Sequence, residues 1–433
     1  MAIPMNPRDL LHALFLSAVN RAHPREVIRD YLPRPPKGRT VVIGAGKAAA
    51  AMAYAVEEHW PRGHAISGVV VTRYGHTPAR PEGLEPLIEI LEAAHPVPDH
   101  ASVAAAERMI AEVKGLTADD LVLCLLSGGA SSLLALPAEG LSLEQKQQIN
   151  RILLMSGAGI GEMNVVRQHL SRVKGGRLAQ ACAPAPVVTL AISDVPGDDP
   201  SVIGSGPTVP GQGSAAQALR VITRYGIEVP EDIRRQWEQS SMDHRESDDF
   251  SPTESQVILI ATPAQSLQAA AETARQAGLV AYVLSDSIEG ESREVAKVHA
   301  EIARAVAHGT STLRRPCVIL SGGETTVTVS PSGSDRGRGG RAGEFCLALA
   351  QALKGEPGIW ALAADTDGID GVETNAGAFV TPETIARADA AGLSLQAHLD
   401  RHDSYGFFSN LDDLLVTGPT HTNVNDFRAV LVV

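Results

Sequence analysis

Aromatic side chains are scarce in this sequence: Trp, Tyr and Phe together make up 4% of its 433 residues. Ala, Val, Leu and Ile must therefore fill the core, and alanine-rich helices lie close against a sheet, which favours an α/β architecture. Cysteine is also rare. Cys124, Cys182, Cys317 and Cys346 stand too far apart for a Cys-x-x-Cys metal or redox motif. Cys124 and Cys317 fall inside apolar runs, where the thiol acts as a small hydrophobe. No apolar run approaches ~18 residues, which excludes a membrane-spanning helix. The start, MAIPMNPRDLLHALFLSAVN, lacks the basic region and unbroken apolar stretch of a secretory leader and reads as a short amphipathic helix. Positive charge is in deficit: the net charge of -13 argues against a general nucleic-acid or acidic-membrane surface. It does not exclude a small anionic substrate, because clustered N–H groups and a few cations override the global field locally. A cytoplasmic enzyme is the expectation.

From about residue 40, apolar β-branched runs alternate with alanine-rich helical stretches. Strands are predicted at 40–43, 66–72, 87–91, 120–126 and 186–193, with helices at 46–59, 100–114, 142–156 and 214–225. Near-continuous apolar strands imply burial on both faces, hence a parallel sheet. The segment 236–252 is polar, charged and without periodicity, and it reads as a linker between domains at 1–240 and 253–433. The strand-like run at 256–261 opens a second set, with strands at 279–284, 316–320, 325–329 and 358–363 and helices at 291–309, 343–354 and 382–391. Thr262 and Pro263 read as a helix N-cap and first turn, and Gly278 as its stop. The run 325–329 is expected to pair antiparallel with a neighbour. The glycine- and arginine-rich stretch 331–341 is expected to form a loop that moves without a ligand.

Four stretches carry chemistry. VVIGAGKAA at 41–49 is a strand, a glycine turn containing Gly44 and Gly46, and Lys47 at the start of a helix. The macrodipole disfavours a cation there unless an anion occupies the turn. A dinucleotide site would place an acid at the end of the next strand, which here ends in Thr72 and Arg73, weakening an NAD reading while leaving NADP open. Ala48 after Lys47 excludes a Walker loop. SGGASS at 127–132 offers the N–H groups of Ser127, Gly128, Gly129 and Ala130 and the hydroxyls of Ser127, Ser131 and Ser132. It lacks the Gly-x-Ser-x-Gly elbow of hydrolases, and a plain tight turn would need the same glycines.

SDVPGDDPSVIGSGPT at 193–208 brings Asp194, Asp198 and Asp199 beside a second small-residue loop, Gly204, Ser205 and Gly206. Carboxylates at a strand end hold Mg²⁺ through water or activate a hydroxyl, although Asp is also common in turns. In the second half, SGGETT and ADTDGIDG supply Glu324, Asp365, Asp367 and Asp370; Glu324, Asp365 and Asp367 are metal candidates, of which Glu324 and Asp367 are taken forward with Asp194. Arg338 and Arg341 suit phosphate oxygens. The histidines, His95 and His100 in a proline-rigid loop and His421 near Asn423, show no zinc-helix spacing. They read as loop residues, with His421 and Asn423 as candidates for substrate contact. Phosphate-cradling turns, a cation and a carboxylate cluster together suggest phosphoryl transfer with a metal ion.

The ordered series VVIGAGKAA, AAHPVPD, LCLLSGGASSLL, NVVRQHLSRVKGGRLA, TLAISDVPGDDPSVIGSGPT, VILSGGETTVTV, GRGGRAGEF, ALAADTDGIDG, NAGAF and LVTGPTHTNVND covers nearly the whole chain. It resembles the glycerate 2-kinase family of the MOFRL type, whose members are often called hydroxypyruvate reductases. The resemblance implies an α/β protein with a Rossmann-like parallel-sheet N-terminal domain, a smaller α/β C-terminal domain with a mixed sheet, and an active site in the interdomain cleft. It implies ATP and Mg²⁺ as cofactors and D-glycerate as acceptor, phosphorylated at its 2-hydroxyl. Lys47 and Arg341 become the leading catalytic residues, with Asp194 as the hydroxyl-activating or metal-orienting carboxylate. Where the family usually has Arg-Asn-Gln-Glu, this chain has Arg341-Ala342-Gly343-Glu344. The alternative is an NAD(P)H-dependent hydroxypyruvate reductase. Small-molecule partners are expected, with neither nucleic acid nor membrane, and a homodimer is left open.

Overall fold

The computed structural model describes residues 5–211, 213–243, 255–329 and 337–433. They divide into two compact units, Val27–Ile260 and a second made of Met1–Glu26 with Ala261–Val433. Their sheets differ in kind.

The first unit is built on strands β1 (Thr40–Ala45), β2 (Ile66–Arg73), β3 (Ile88–Ala93), β4 (Leu121–Leu126), β5 (Val187–Ile192) and β6 (Ser255–Ala261), in spatial order β3-β2-β1-β4-β5-β6. The ladders linking β1 to β5 are all parallel. β1 and β4 are buried at every position, as their unbroken apolar runs require. The core combines Val41, Ile43, Val69, Val71, Cys124 and Val187 with Ala105, Ala106 and Met109 of the helix His100–Glu112. A further helical layer, Leu143–Met155, Ile160–His169, Ala215–Arg224 and Glu231–Asp243, closes on Leu153, Val166, Ile222 and Trp237.

The second unit holds β7 (Val280–Val283), β8 (Gly290–Glu291), β9 (Cys317–Gly323), β10 (Thr325–Thr326), β11 (Ile359–Asp365), β12 (Gly377–Val380), β13 (Leu414–Leu415) and β14 (Asp426–Val432). Its main sheet runs β13-β12-β11-β14-β9-β7, antiparallel except for the β7–β9 pair. The amino-terminal helix Pro7–Ala22 covers one face. Asn6 caps it by accepting the Arg8 N–H at 2.9 Å, and Leu10, Leu11, Leu14, Phe15, Ala18 and Val19 form its buried stripe. Phe15 meets Phe427 of β14 edge to face, with ring centroids 5.8 Å apart.

Four sequence expectations change. The first helix belongs to the second unit, because its apolar stripe is buried with Leu320, Leu362 and Leu431. The run at 256–261 extends the first sheet as β6, Val257 and Leu259 packing on that unit's core, so it does not open the second set. A helix, Glu231–Asp243, occupies the start of the proposed linker, held by Ile233 and Trp237; residues 244–254 lie outside the described residues. Within 325–329 only Thr325 and Thr326 pair, and they pair parallel to Gly290–Glu291. Of the stretch 331–341, residues 331–336 lie outside the described residues.

The Thr262 cap, Pro263 and Gly278 delimit the helix Pro263–Gln276 as expected. The four cysteines are buried and free of disulfides. Among the described residues, no helix is long and apolar enough to cross a membrane.

Candidate active site

The order of the first sheet makes a crevice. The chain runs outward from β1 to β2 and β3, then returns to the other side of β1 as β4 and β5. Ligands of such sheets bind at the carboxyl ends of the strands where the winding direction switches. The loops at that point are those after β1 and β4, which carry Lys47 and Ser127–Ser132.

The two loops hold each other. The Lys47 N–H donates to the Gly128 carbonyl at 2.8 Å, the Ala48 N–H to Ser127 Oγ at 3.0 Å, and Thr72 Oγ1 to the Lys47 carbonyl at 3.2 Å. Ser127 is fully buried and its hydroxyl is spent on this turn. Gly44 lies inside β1, its backbone opposite Val70 and Leu125, whereas Gly46 donates to the Val71 carbonyl at 3.1 Å within the turn. The half-exposed part of the turn is Gly129, Ser131 and Ser132.

Gly129 has a φ of 83°, and a Cβ there would stand 2.9 Å from His95 Cδ2, 3.0 Å from His95 Nε2 and 3.6 Å from Lys47 Cγ. Three loops, after β1, β3 and β4, thus converge on one point. Burial, then the Lys47 charge, with Arg73 and His76, hold the His95 pKa down at about 4, so its imidazole is neutral at ordinary pH. Gly129→Ala, which adds left-handed strain of roughly 1–2 kcal/mol and crowds the His95 ring, is expected to lower kcat/KM about tenfold or more; steady-state kinetics unchanged from the parent would refute this convergence.

The loop 204–206 lies against the same turn. Gly204, Ser205 and Gly206 have φ values of 60°, 65° and 62°, and Ser205 Oγ is 3.0 Å from Ser131 Oγ. The Ser205 and Gly206 N–H groups bond within the loop, to Val202 and Ile203. Two of the loop's three amides are thus spent inside it, and Ser205, 2% exposed, meets the neighbouring turn through the Ser131 hydroxyl. Asp194 is half-buried two residues beyond β5, at the same edge of the sheet. Asp199 is used locally, accepting the Ser201 N–H at 2.8 Å.

The second unit has its own polar centre, where β9, β14 and β11 end in register: Gly323 faces Asp426, and Asp426 faces Asp365. Two acids opposite one another repel, and Arg341, the first residue of the helix Arg341–Leu353, answers them. It donates to Asp426 at 2.7 Å, to Asp365 at 2.8 Å and to the more exposed Glu324. Burial works against its charge, but Asp426, Asp365 and Glu324 outweigh it and hold its pKa well above the ordinary value. Arg428, almost fully buried, adds a second cation 2.5 Å from Asp426.

Asp370 accepts the Ala342 and Gly343 N–H groups at 3.0 and 2.7 Å, capping the same helix; burial raises its pKa to about 7, against those two bonds. A Cβ at Gly343 would collide with Ser404 Oγ, so the Ala342-Gly343 pair is matched by close packing at this helix start. Arg338 lies apart from Arg341, paired with Glu373 and stacked over Tyr405. Asp367 accepts the Ile369 N–H at 2.9 Å. Asn423 is buried in the loop leading to β14, accepting the Asn425 N–H, and His421 has a φ of 59° there.

The structure brings Lys47, the 127–132 turn, Ser205 and His95 together in one unit, and Arg341, Glu324, Asp365 and Asp426 in the other. Of the metal candidates, Asp194 belongs to the first unit, and Glu324 and Asp367 to the second. Among the described residues, no three His, Cys, Asp or Glu side chains converge as a metal site. Sequence reasoning missed His95, Asp426 and Arg428. The acid that closes TGPTHTNVND and opens an apolar run was the available signal for Asp426.

A family model described as a domain of unknown function, DUF4147, matches residues 10–238, and the MOFRL family model matches residues 317–426. A D-glycerate 2-kinase of Thermotoga maritima is 38% identical over 431 residues, spanning 99% of both chains. The chain belongs to the MOFRL-type glycerate 2-kinase family. Another member, an Agrobacterium vitis protein provisionally named hydroxypyruvate reductase, is 51% identical over 428 residues, 99% of this chain and 95% of that one. A crystal structure of the Thermotoga maritima glycerate kinase superposes with a TM-score of 0.86 at 37% identity, covering 98% of this chain and 99% of that one.

Proposed function

We propose that this family member is a glycerate 2-kinase that transfers the γ-phosphoryl group of ATP to the 2-hydroxyl of D-glycerate, giving 2-phosphoglycerate and ADP. The observation that carries the reading is the convergence of Lys47, neutral His95 and the Gly129 turn at the switch point of a parallel sheet. A cation at a glycine turn suits transferring phosphate oxygens, and positioning with charge neutralisation supplies most of the catalysis in such transfers. Ser131 and Ser205 offer hydroxyl donors beside it. Asp194 takes the proton from the 2-hydroxyl as its oxygen attacks phosphorus and the bond to the ADP oxygen breaks.

Mg²⁺ on nucleotide phosphates uses one or two carboxylates and keeps waters, so Asp194 fits it without a three-ligand cage; when bound, the ion supplies charge stabilisation to the phosphate oxygens. Arg341 is the second cation of the reading. Three carboxylates already hold it, so an anion gains it by displacing one of them, and the exposed Glu324 is the partner that can leave.

The competing reductase reading is tested side by side. With D-glycerate, ATP and Mg²⁺ the expected result is ADP release, and with hydroxypyruvate plus NADH or NADPH no nucleotide oxidation. Oxidation without ADP formation would reverse the assignment.

A further inference from the structure

One buried cation in the first unit plays no part in that mechanism. Lys174, from the run NVVRQHLSRVKGGRLA, is 3% exposed. Its ammonium donates to the Ser131 carbonyl at 2.7 Å and to Ser131 Oγ at 2.5 Å, and Ser131 Oγ in turn meets Ser205 Oγ at 3.0 Å. The segment around it is laced to the 204–206 loop: Gly175 N–H and Gln168 Nε2 reach the Ser205 carbonyl at 3.2 and 3.4 Å, and Gly176 N–H reaches the Gly206 carbonyl at 2.7 Å. Lysines this deep are ordinarily paired with a carboxylate. Lys174 has none within salt-bridge distance among the described residues. The charged groups that face it are cations, Arg167 and Lys146, the latter itself buried and donating to the Leu170 carbonyl at 2.6 Å. Burial, then Lys146 and Arg167, hold the Lys174 pKa well below its ordinary value. The half-exposed hydroxyl of Ser131 is the outlet of this positive pocket.

We propose that Lys174, with Ser131 and Ser205, forms an oxyanion subsite in which the two hydroxyls receive a carboxylate or phosphate of the substrate and Lys174 supplies the countercharge. A bound anion favours the ammonium form of Lys174. The choice of probes rests on the kinase reading; the subsite itself does not.

Lys174→Met tests it, with thermal melting to establish that the variant is folded. If the subsite takes the acceptor's carboxylate, KM for D-glycerate rises about tenfold or more, while KM for ATP and kcat change little. If it takes a nucleotide phosphate, the two KM values exchange roles. A folded variant with both KM values unchanged overturns the proposal. Should Lys174→Met fail to fold, the unmodified protein and the Ser131→Ala variant are titrated calorimetrically with D-glycerate and with inorganic phosphate. Binding about tenfold or more weaker in the variant is expected. Binding unchanged by the substitution, or binding of neither probe, overturns the subsite. Phosphate binding that Ser131→Ala weakens, in a protein that does not turn over D-glycerate, keeps the subsite and removes the kinase reading.

Discussion

Lys47→Ala is expected to lower kcat for D-glycerate phosphorylation by about 10²–10³-fold, the effect of removing one preorganised charge from a developing anion. The turn itself should keep its form. The turn is held by the Lys47 backbone, whose N–H reaches Gly128 and whose carbonyl receives Thr72, and alanine keeps both. A second signal comes from His95. After burial, the Lys47 charge is the largest influence holding its pKa near 4. Without it the imidazole pKa rises towards its ordinary value, and an NMR titration of His95 should move upward in the variant. Near-normal turnover in a folded Lys47→Ala protein would remove the residue from the mechanism.

Arg341→Ala should act on stability as well as rate. In the parent, the guanidinium stands between Asp365 and Asp426, which face each other across the β11–β14 ladder. Removing one partner of a buried ion network leaves uncompensated charge and costs about 3–5 kcal/mol. Arg428 remains beside Asp426. Arg341→Lys should recover only part of the loss, since a single ammonium cannot replace a fork that reaches three carboxylates. The deficit should shrink as pH falls and the stranded carboxylates take up protons. Denaturant titrations of parent and variant near pH 7 and pH 5 measure both effects. An Arg341→Ala protein as stable as the parent at pH 7 would show that the cluster does not hold this end of the sheet together.

The first sheet was legible because its strands are unbroken apolar runs, each followed by a glycine turn or a capped helix: β1, β2, β4 and β5 lie within a few residues of expectation. Local pattern says nothing of which sheet a strand joins, and β6 is the case in point. It resembles the opening of a new domain, yet it packs on the first core through Val257 and Leu259. The amino-terminal helix was read correctly as amphipathic, but its partner, the face carrying Phe427, lies about four hundred residues away in sequence. β12 and β14 were missed: Gly377–Val380 is too short to carry a pattern, and an arginine interrupts the β14 run. That arginine is Arg428, kept inside the fold by Asp426.

At the site, sequence spacing located the turns and their cations. It could not show that Ser127 is spent on the Ala48 N–H, nor that His95 meets Gly129 from thirty-odd residues upstream. Nor could spacing show which carboxylates share a unit: Asp194 lies in the first, Glu324 and Asp367 in the second. The glycine- and hydroxyl-rich turns stood out in the sequence, while Lys174 behind them, in a helix-to-loop segment without glycine before it, carried no comparable signal.

The central claim is phosphoryl transfer to the 2-hydroxyl, and the most direct test identifies the product. D-glycerate, ATP and Mg²⁺ are incubated with the protein, and the product is offered to enolase with and without phosphoglycerate mutase. The account predicts that enolase alone consumes it, as 2-phosphoglycerate. A product consumed only when the mutase is added would be 3-phosphoglycerate, and would contradict the assignment of the acceptor hydroxyl.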